Sequence, residues 1–269
     1  MIIDGKKEAA VLRDEIKKEI DSIKSKTNKV PGLTVILIGD FEPSQIYVRN
    51  KEKNSKEVGI SSEVVKYPKE VTEQEVLTKI ESLNNDNNVS GILVQLPLPS
   101  QINKEKIINA IDPKKDVDGF HPTNVGNLSS GYKATVPCTP LGCFKMLEHA
   151  TQLEGKNAIV LGRSNIVGKP LSYLLTNKNV TVTLAHSKTR KIEEMCKNND
   201  IIIAAIGKPN FVKKEWVNEK TIIIDVGINV LKRHDGSSFI VGDVDYCLLY
   251  TSDAADDSLR VDLGGRRII

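Results

Sequence analysis

NAIVLGRSNIVGKPLSYLL (Asn157–Leu175) joins a strand to a helix through a turn that carries two glycines. Asn157–Gly162 is an apolar, branched run of the kind that fills a strand buried on both faces. Gly162 follows the strand, Gly168 opens the next segment, and Leu171–Leu175 continues at helical spacing. Strand, glycine turn and helix in that order form the phosphate-binding end of a doubly wound sheet, where backbone N–H groups and a helix N-terminus receive a pyrophosphate. Ser164 stands where the usual fingerprint has its second glycine, and one extra residue precedes the last. Two glycines also serve simple tight packing, so the turn by itself leaves both uses open.

The strand that follows tips the balance. An NAD site places an acid near the end of its second strand, to bind the ribose 2′-hydroxyl. VTVTLAHS (Val180–Ser187) ends instead in His186, Ser187 and Lys188, and Arg163 stands beside the glycine turn. Hydroxyl and cationic donors suit a 2′-phosphate, so NADP is favoured over NAD. A solvated loop over His186–Arg190 is the plainer alternative. DIIIAAIG (Asp200–Gly207) and TIIIDVG (Thr221–Gly227) extend the same series of strands.

A first series precedes it. LTVILIG (Leu33–Gly39) is a strand, Pro43 opens a polar helix running to Val58, and SSEVVKYP is a second strand. Thr72 caps a helix over Val71–Leu83, and VSGILVQLPLP (Val89–Pro99) is a third strand cut off by its prolines. Asp112–Pro140, with prolines throughout, reads as a loop-rich link. Repeated βα units imply parallel sheets, hence an α/β protein of two lobes, residues 1–138 and 139–246, with a cleft between them for ligands.

Five residues of the first lobe could carry chemistry. Tyr47 and Lys51 stand four apart on one helix face, so an aromatic ring can stack on a planar ligand beside an amine. A lysine moves protons well when burial or a cationic neighbour lowers its pKa, although a solvated Lys/Glu-rich helix is the commoner context. Gln95, at the end of an apolar run and clamped by Pro97 and Pro99, is placed to orient a neighbour or to satisfy loop backbone. In KDVDGFHP (Lys115–Pro122), Asp116 and Asp118 could hold a divalent ion, but further oxygen ligands are not evident, and one of them could equally pair with an amidine-like N–H edge.

Composition narrows the class. Lys+Arg 38 against Asp+Glu 35 leaves +3, with the lysines dispersed, which disfavours a nucleic-acid partner. No apolar run approaches a membrane span, and the acids among the bases of the N-terminus argue against a signal or transit peptide, so a cytoplasmic location is expected. Cys138, Cys143, Cys196 and Cys247 form no CxxC pair, and free thiols are expected rather than a metal set. Residues 247–269 hold no lysine and no asparagine but three of the eight arginines, so they read as an aberrant or disordered tail.

YVRNKEKNSKEVGI, GILVQLPLP, DPKKDVDGFHPTNVGNL, PCTPLG, GRSNIVGKP, AHSKT, AAIGKP, DVGIN and GDVDY together resemble, in order, the motifs of the bifunctional methylenetetrahydrofolate dehydrogenase/methenyltetrahydrofolate cyclohydrolase family. The resemblance implies a tetrahydrofolate catalytic lobe and an NADP-binding Rossmann lobe. It implies that Tyr47 stacks on the aminobenzoyl group, Lys51 is the general acid/base, Gln95 interacts with it and Asp118 hydrogen-bonds the pterin. Gly162, Arg163, Ser164, Ser187 and Ile228 match NADP-binding positions. A homodimer is implied too, as are hydride transfer from 5,10-methylenetetrahydrofolate and hydrolysis of the methenyl product to 10-formyltetrahydrofolate. The family continues after GDVDY into a PVPGGVGPMT-type loop and a closing helix, which residues 247–269 do not match. Other readings are an inactive homologue serving only in binding or dimerisation, and another NADP-dependent dehydrogenase on a two-lobed scaffold.

Overall fold

A computed structural model describes residues 3–233 and 235–245. They group into two compact units, Lys6–Pro137 and residues 3–5 with 138–245. The expected tail, with Cys247, lies outside the described residues.

The Lys6–Pro137 unit runs α1 (Gly5–Thr27), β1 (Gly32–Ile38), α2 (Glu42–Glu57), β2 (Ser61–Tyr67), α3 (Glu73–Asn85), β3 (Gly91–Val94), α4 (Lys104–Ala110) and α5 (Pro122–Ser129). Its sheet is parallel in the order β2-β1-β3, with Val35 opposite both Val64 and Leu93. The two-residue period of β1 sends its side chains to opposite faces. Ile36 and Ile38 pack with Val76, Ile80 and Leu83 of α3 and Ile107 of α4. Val35 and Leu37 pack with Val48 of α2. Helix α3 starts where the sequence places it, because Thr72 Oγ1 accepts from Glu75 N at 3.2 Å while the Glu75 carboxylate accepts from Thr72 N at 2.9 Å.

The other unit continues α6 (Cys138–Ala150), β4 (Asn157–Leu161), α7 (Gly168–Thr176), β5 (Thr181–Ala185), α8 (Ile192–Lys197), β6 (Ile201–Ala204), a 3₁₀ turn at Lys214–Trp216, β7 (Ile222–Asp225), β8 (Asn229–Lys232) and β9 (Ser238–Val241). Strands β5-β4-β6-β7 form one parallel sheet, covered on one face by α6 and α7 and on the other by Cys196 and Ile192 of α8. Cys143 and Cys196 are free thiols. Burial pushes Cys143 up to about 12 and Cys196 up to about 11, which keeps both unreactive at neutral pH.

Three features differ from the sequence reading. Asp112–Pro140 is not all loop, since it holds α5 and the start of α6. Pro122 sits in the first turn of α5, where a missing N–H costs nothing and a fixed φ suits a helix. The third strand is paired only over Gly91–Val94, inside the expected Val89–Pro99. Strands β8 and β9 form an antiparallel hairpin that the apolar runs do not announce. Among the described residues no helix is long and apolar enough to cross a membrane.

Candidate functional site

Ser44, Val48 and Ser55 of α2 are buried at positions that share one helical stripe with Lys51. That stripe faces the sheet, so Lys51 is carried part-buried to the end of β3. There its Nζ donates to Gln95 Oε1 at 3.2 Å. Gln95 is itself fixed, since its backbone N donates to Ile36 O at 2.9 Å and its Nε2 to Leu96 O at 2.8 Å. With the amide nitrogen engaged by Leu96, the oxygen is the atom left to face the lysine. Tyr47 lies one turn before Lys51 on the same helix and is also part-buried.

Asp118 reaches the same neighbourhood from a loop anchored on three sides. Lys115 Nζ donates to the carbonyls of Leu83, Asn84 and Asp86 at 2.9, 2.8 and 2.8 Å, closing the C-terminal end of α3. Lys115 O accepts from Ile92 N at 2.7 Å, stitching the loop to β3. Asp116, 3 % exposed, accepts from His121 N at 2.8 Å and from Asn124 Nδ2 at 2.9 Å. Asp118 then lines a small apolar recess with Ile92, Leu96 and Phe120. Burial raises its pKa above the ordinary carboxylate value, the Lys51 charge pulls it down, and the Asp116 charge pushes it up. The two aspartates therefore divide their work, with Asp116 holding backbone and Asp118 facing the lysine. Among the described residues no cluster of three His, Cys, Asp or Glu side chains is arranged to hold a metal.

In the other unit the glycine turn closes as tightly as its sequence suggests. Gly162 has φ +119, and a Cβ there would run into the Ala205 carbonyl. A Cβ on Gly168 would run into the carbonyl of Gly162. Ser164 Oγ accepts from Val167 N at 3.1 Å and Gly168 N at 3.4 Å, satisfying two N–H groups where α7 begins and leaving its own O–H to donate. Among the described residues no acceptor meets the N–H of Asn165 or Ile166. A turn that no Cβ can fill, with free N–H groups, a hydroxyl donor and exposed Arg163 around it, fits the phosphates of a dinucleotide.

After β5, His186 N donates to Thr189 Oγ1 at 2.9 Å and Lys188 N to His186 Nδ1 at 3.1 Å. This folds Ser187 to the exposed tip of a turn that contains no carboxylate, which fits a 2′-phosphate. Ile228 is 46 % exposed after β7. Every residue named for this half of the chemistry thus stands at a carboxyl end of one parallel sheet. The sequence reading missed Lys115, Asn124 and Thr189, whose parts depend on partners that only the fold supplies. A hydroxyl residue in the loop after β5 was the signal available for Thr189, whereas Asn124 lies inside α5.

Residues 3–118 match the family model described as tetrahydrofolate dehydrogenase/cyclohydrolase, catalytic domain, and residues 137–254 match its NAD(P)-binding domain. Bifunctional protein FolD of Pelagibacter ubique (strain HTCC1062) is 57% identical over 245 residues, 91% of this chain and 85% of the relative. The FolD methylenetetrahydrofolate dehydrogenase/cyclohydrolase of Campylobacter jejuni superposes with a TM-score of 0.87 at 43% identity, covering 93% of this chain and 87% of that one. The N5,N10-methylenetetrahydrofolate dehydrogenase-cyclohydrolase of Trypanosoma brucei, solved with NADP cofactor and inhibitor, gives 0.86 at 33% identity over 93% of this chain and 86% of that one. The two domain models follow one another along the chain in the order of its two compact units. The chain belongs to the tetrahydrofolate dehydrogenase/cyclohydrolase family.

Proposed function

We propose that this protein oxidises 5,10-methylenetetrahydrofolate with NADP and hydrolyses the methenyl product to 10-formyltetrahydrofolate. The observation that carries the reading is the Lys51–Gln95 hydrogen bond with Asp118 in Coulombic reach of the same amine, in a family whose relatives bear both activities in their names.

NADP, when bound, accepts the hydride released from the methylene carbon. Loss of that hydride leaves a cation delocalised over two nitrogens, so the chain's task at this stage is to orient the folate rather than to add a base. Tyr47 offers its ring to the aminobenzoyl group, and Asp118 offers its carboxylate to a pterin N–H edge. A carboxylate whose burial disfavours its charge gains more from such a donor than a solvated one does.

Hydrolysis adds water to the methenyl carbon and breaks one C–N bond. Of the two protons the water loses, one is released to solvent as the cation's charge is discharged, and the leaving ring nitrogen must gain the other. Lys51 is the group that passes it, and Gln95 Oε1, by accepting from Nζ, fixes where the amine points. In the other unit Gly162, Arg163, Ser164 and Ser187 hold the nucleotide's phosphates, and Ile228 gives an apolar surface beside them. A homodimer belongs to the same proposal and follows from the family resemblance; light scattering after gel filtration reads it.

The test is direct. Purified protein with methylenetetrahydrofolate and NADP should develop the absorbance of the methenyl species and of NADPH, then lose the former as hydrolysis proceeds. NADPH formation with no decay of the methenyl band would remove the hydrolase half of the proposal; no NADPH would remove the dehydrogenase half, and the whole falls if added methenyltetrahydrofolate is not hydrolysed either.

A further inference from the structure

Beyond the glycine turn, the nucleotide-binding unit contains a pair of interlocked carboxylates, Asp243 buried and Asp225 part-buried. Asp243, 0 % exposed, follows β9, and Asp225 ends β7. Asp243 Oδ2 accepts from Ile206 N at 2.7 Å and Gly207 N at 2.9 Å, while its Oδ1 accepts from Asn229 Nδ2 at 2.9 Å. Asp225 Oδ1 accepts from Gly227 N and Asp243 N, both at 2.9 Å, and its Oδ2 from Val244 N at 3.0 Å. The packing leaves no slack. A Cβ on Gly227 would run into the Asp243 carboxylate, and one on Gly242 into that of Asp225.

These bonds tie together loops that leave the carboxyl ends of β6 and β7, the edge where a doubly wound sheet binds its ligand. The loop after β6 carries Ala205, whose carbonyl is the surface that closes on Gly162, so the Asp243 bonds to Ile206 and Gly207 set one wall of the phosphate turn. Ile228 is bracketed in the same way, by Gly227 held on Asp225 and by Asn229 held on Asp243. A buried carboxylate that accepts from three separate donors is strained by no single one of them, and its removal leaves each of them unpaired.

We infer that Asp243 is a positioning residue for the dinucleotide, fixing the Ala205–Gly207 wall and the Ile228 platform without touching the ligand; the inference rests on the NADP reading given above. Asp243→Asn keeps the shape but places an NH₂ against either the Ile206 and Gly207 N–H groups or the Asn229 amide, so one set of bonds is lost. Asn229→Ala removes the bond to Asp243 and a longer one to Val241 O at 3.4 Å, and leaves the buried acid intact.

NADP binding is measured by calorimetry on the full-length protein, alongside steady-state kinetics of both reactions. Expected are an NADP Kd at least tenfold weaker in Asp243→Asn and about threefold weaker in Asn229→Ala, with the NADP KM rising in step and the KM for methenyltetrahydrofolate in hydrolysis unmoved. A scaffold lesion would instead lower both reaction rates through the folded fraction and leave the Kd of the folded protein alone, and that pattern overturns the inference. If Asp243→Asn yields no folded protein, an unchanged Kd in Asn229→Ala overturns it equally. Wild-type protein that fails to bind NADP brings down the cofactor reading itself, whereas wild-type binding with unchanged variants brings down only the role of Asp243.

Discussion

Lys51 is useful only because two other groups decide where its amine sits and what charge surrounds it. Gln95 holds one N–H by its oxygen, and Asp118 supplies the nearby negative charge. Lys51→Met deletes the proton carrier with little change in volume, so hydrolysis of methenyltetrahydrofolate should fall by at least ~100-fold. Folate affinity should stay within a few fold, because the proposed stacking on Tyr47 and bond to Asp118 are untouched by the substitution. Hydrolysis at the wild-type rate in this variant would refute the assignment. Asp118 gives a second test, on stability. A carboxyl with a higher pKa in the fold than in the unfolded chain holds its proton more tightly when folded, so it favours folding at acid pH and loses that advantage as pH climbs through the folded value. Relative to Asp118→Asn, the wild type should therefore lose stability as pH rises above the ordinary carboxylate range, and the two curves should converge below roughly pH 4. Urea denaturation over a pH series reads this; parallel curves would mean that burial does not govern Asp118.

Elements place these residues, and their ends matter more than their middles. Lys115 answers three carbonyls at the close of α3 and thereby pins the loop that presents Asp118. Lys115→Met should cost about 2 kcal/mol, as expected for bonds to a charged donor, and should raise the folate KM more than it alters NADP affinity. Gly162→Ala forces a Cβ against the Ala205 carbonyl at a φ of +119, which should cost about 2 kcal/mol and weaken NADP binding at least tenfold. The same contrast between ends and middles explains what could be read from sequence. Leu33–Gly39 and Asn157–Gly162 announced their strands because a strand buried on both faces needs an unbroken apolar run. Helix α5 was hidden by Pro122, which reads as a breaker although at a first turn it is a starter. Strands β8 and β9 were hidden because only alternate residues of each are even partly buried, over four residues apiece. Lys51 and Gln95 could be named because each stands beside a recognisable motif. Their hydrogen bond spans 44 residues and was implied only by the family resemblance, whereas the reach from Asp243 to Ile206, which spans 37, had no signal.

On the scale of the whole chain, the residues proposed for the two chemistries fall in different compact units. Lys51, Gln95 and Asp118 belong to Lys6–Pro137, and the glycine turn, Ser187 and Ile228 to residues 138–245. Lesions should then separate the reactions. Lys51→Met should still reduce NADP, since forming a delocalised cation needs orientation and a hydride acceptor but no proton transfer from the amine. Gly162→Ala should still hydrolyse added methenyltetrahydrofolate, a reaction that uses no nucleotide. The methenyl cation is a stable enough species to leave one molecule and enter another, so with NADP held well below the Kd of the Gly162→Ala protein neither variant alone should convert methylenetetrahydrofolate to 10-formyltetrahydrofolate at an appreciable rate, whereas an equimolar mixture should. Chromatographic measurement of 10-formyltetrahydrofolate, with each variant alone and with both together, reads the outcome. Methenyl accumulation by the Lys51→Met protein that the Gly162→Ala protein fails to consume would show that the glycine turn also serves hydrolysis. A mixture that never forms the methenyl species would show that the amine is needed for hydride loss as well, and the division of labour between the units would have to be redrawn.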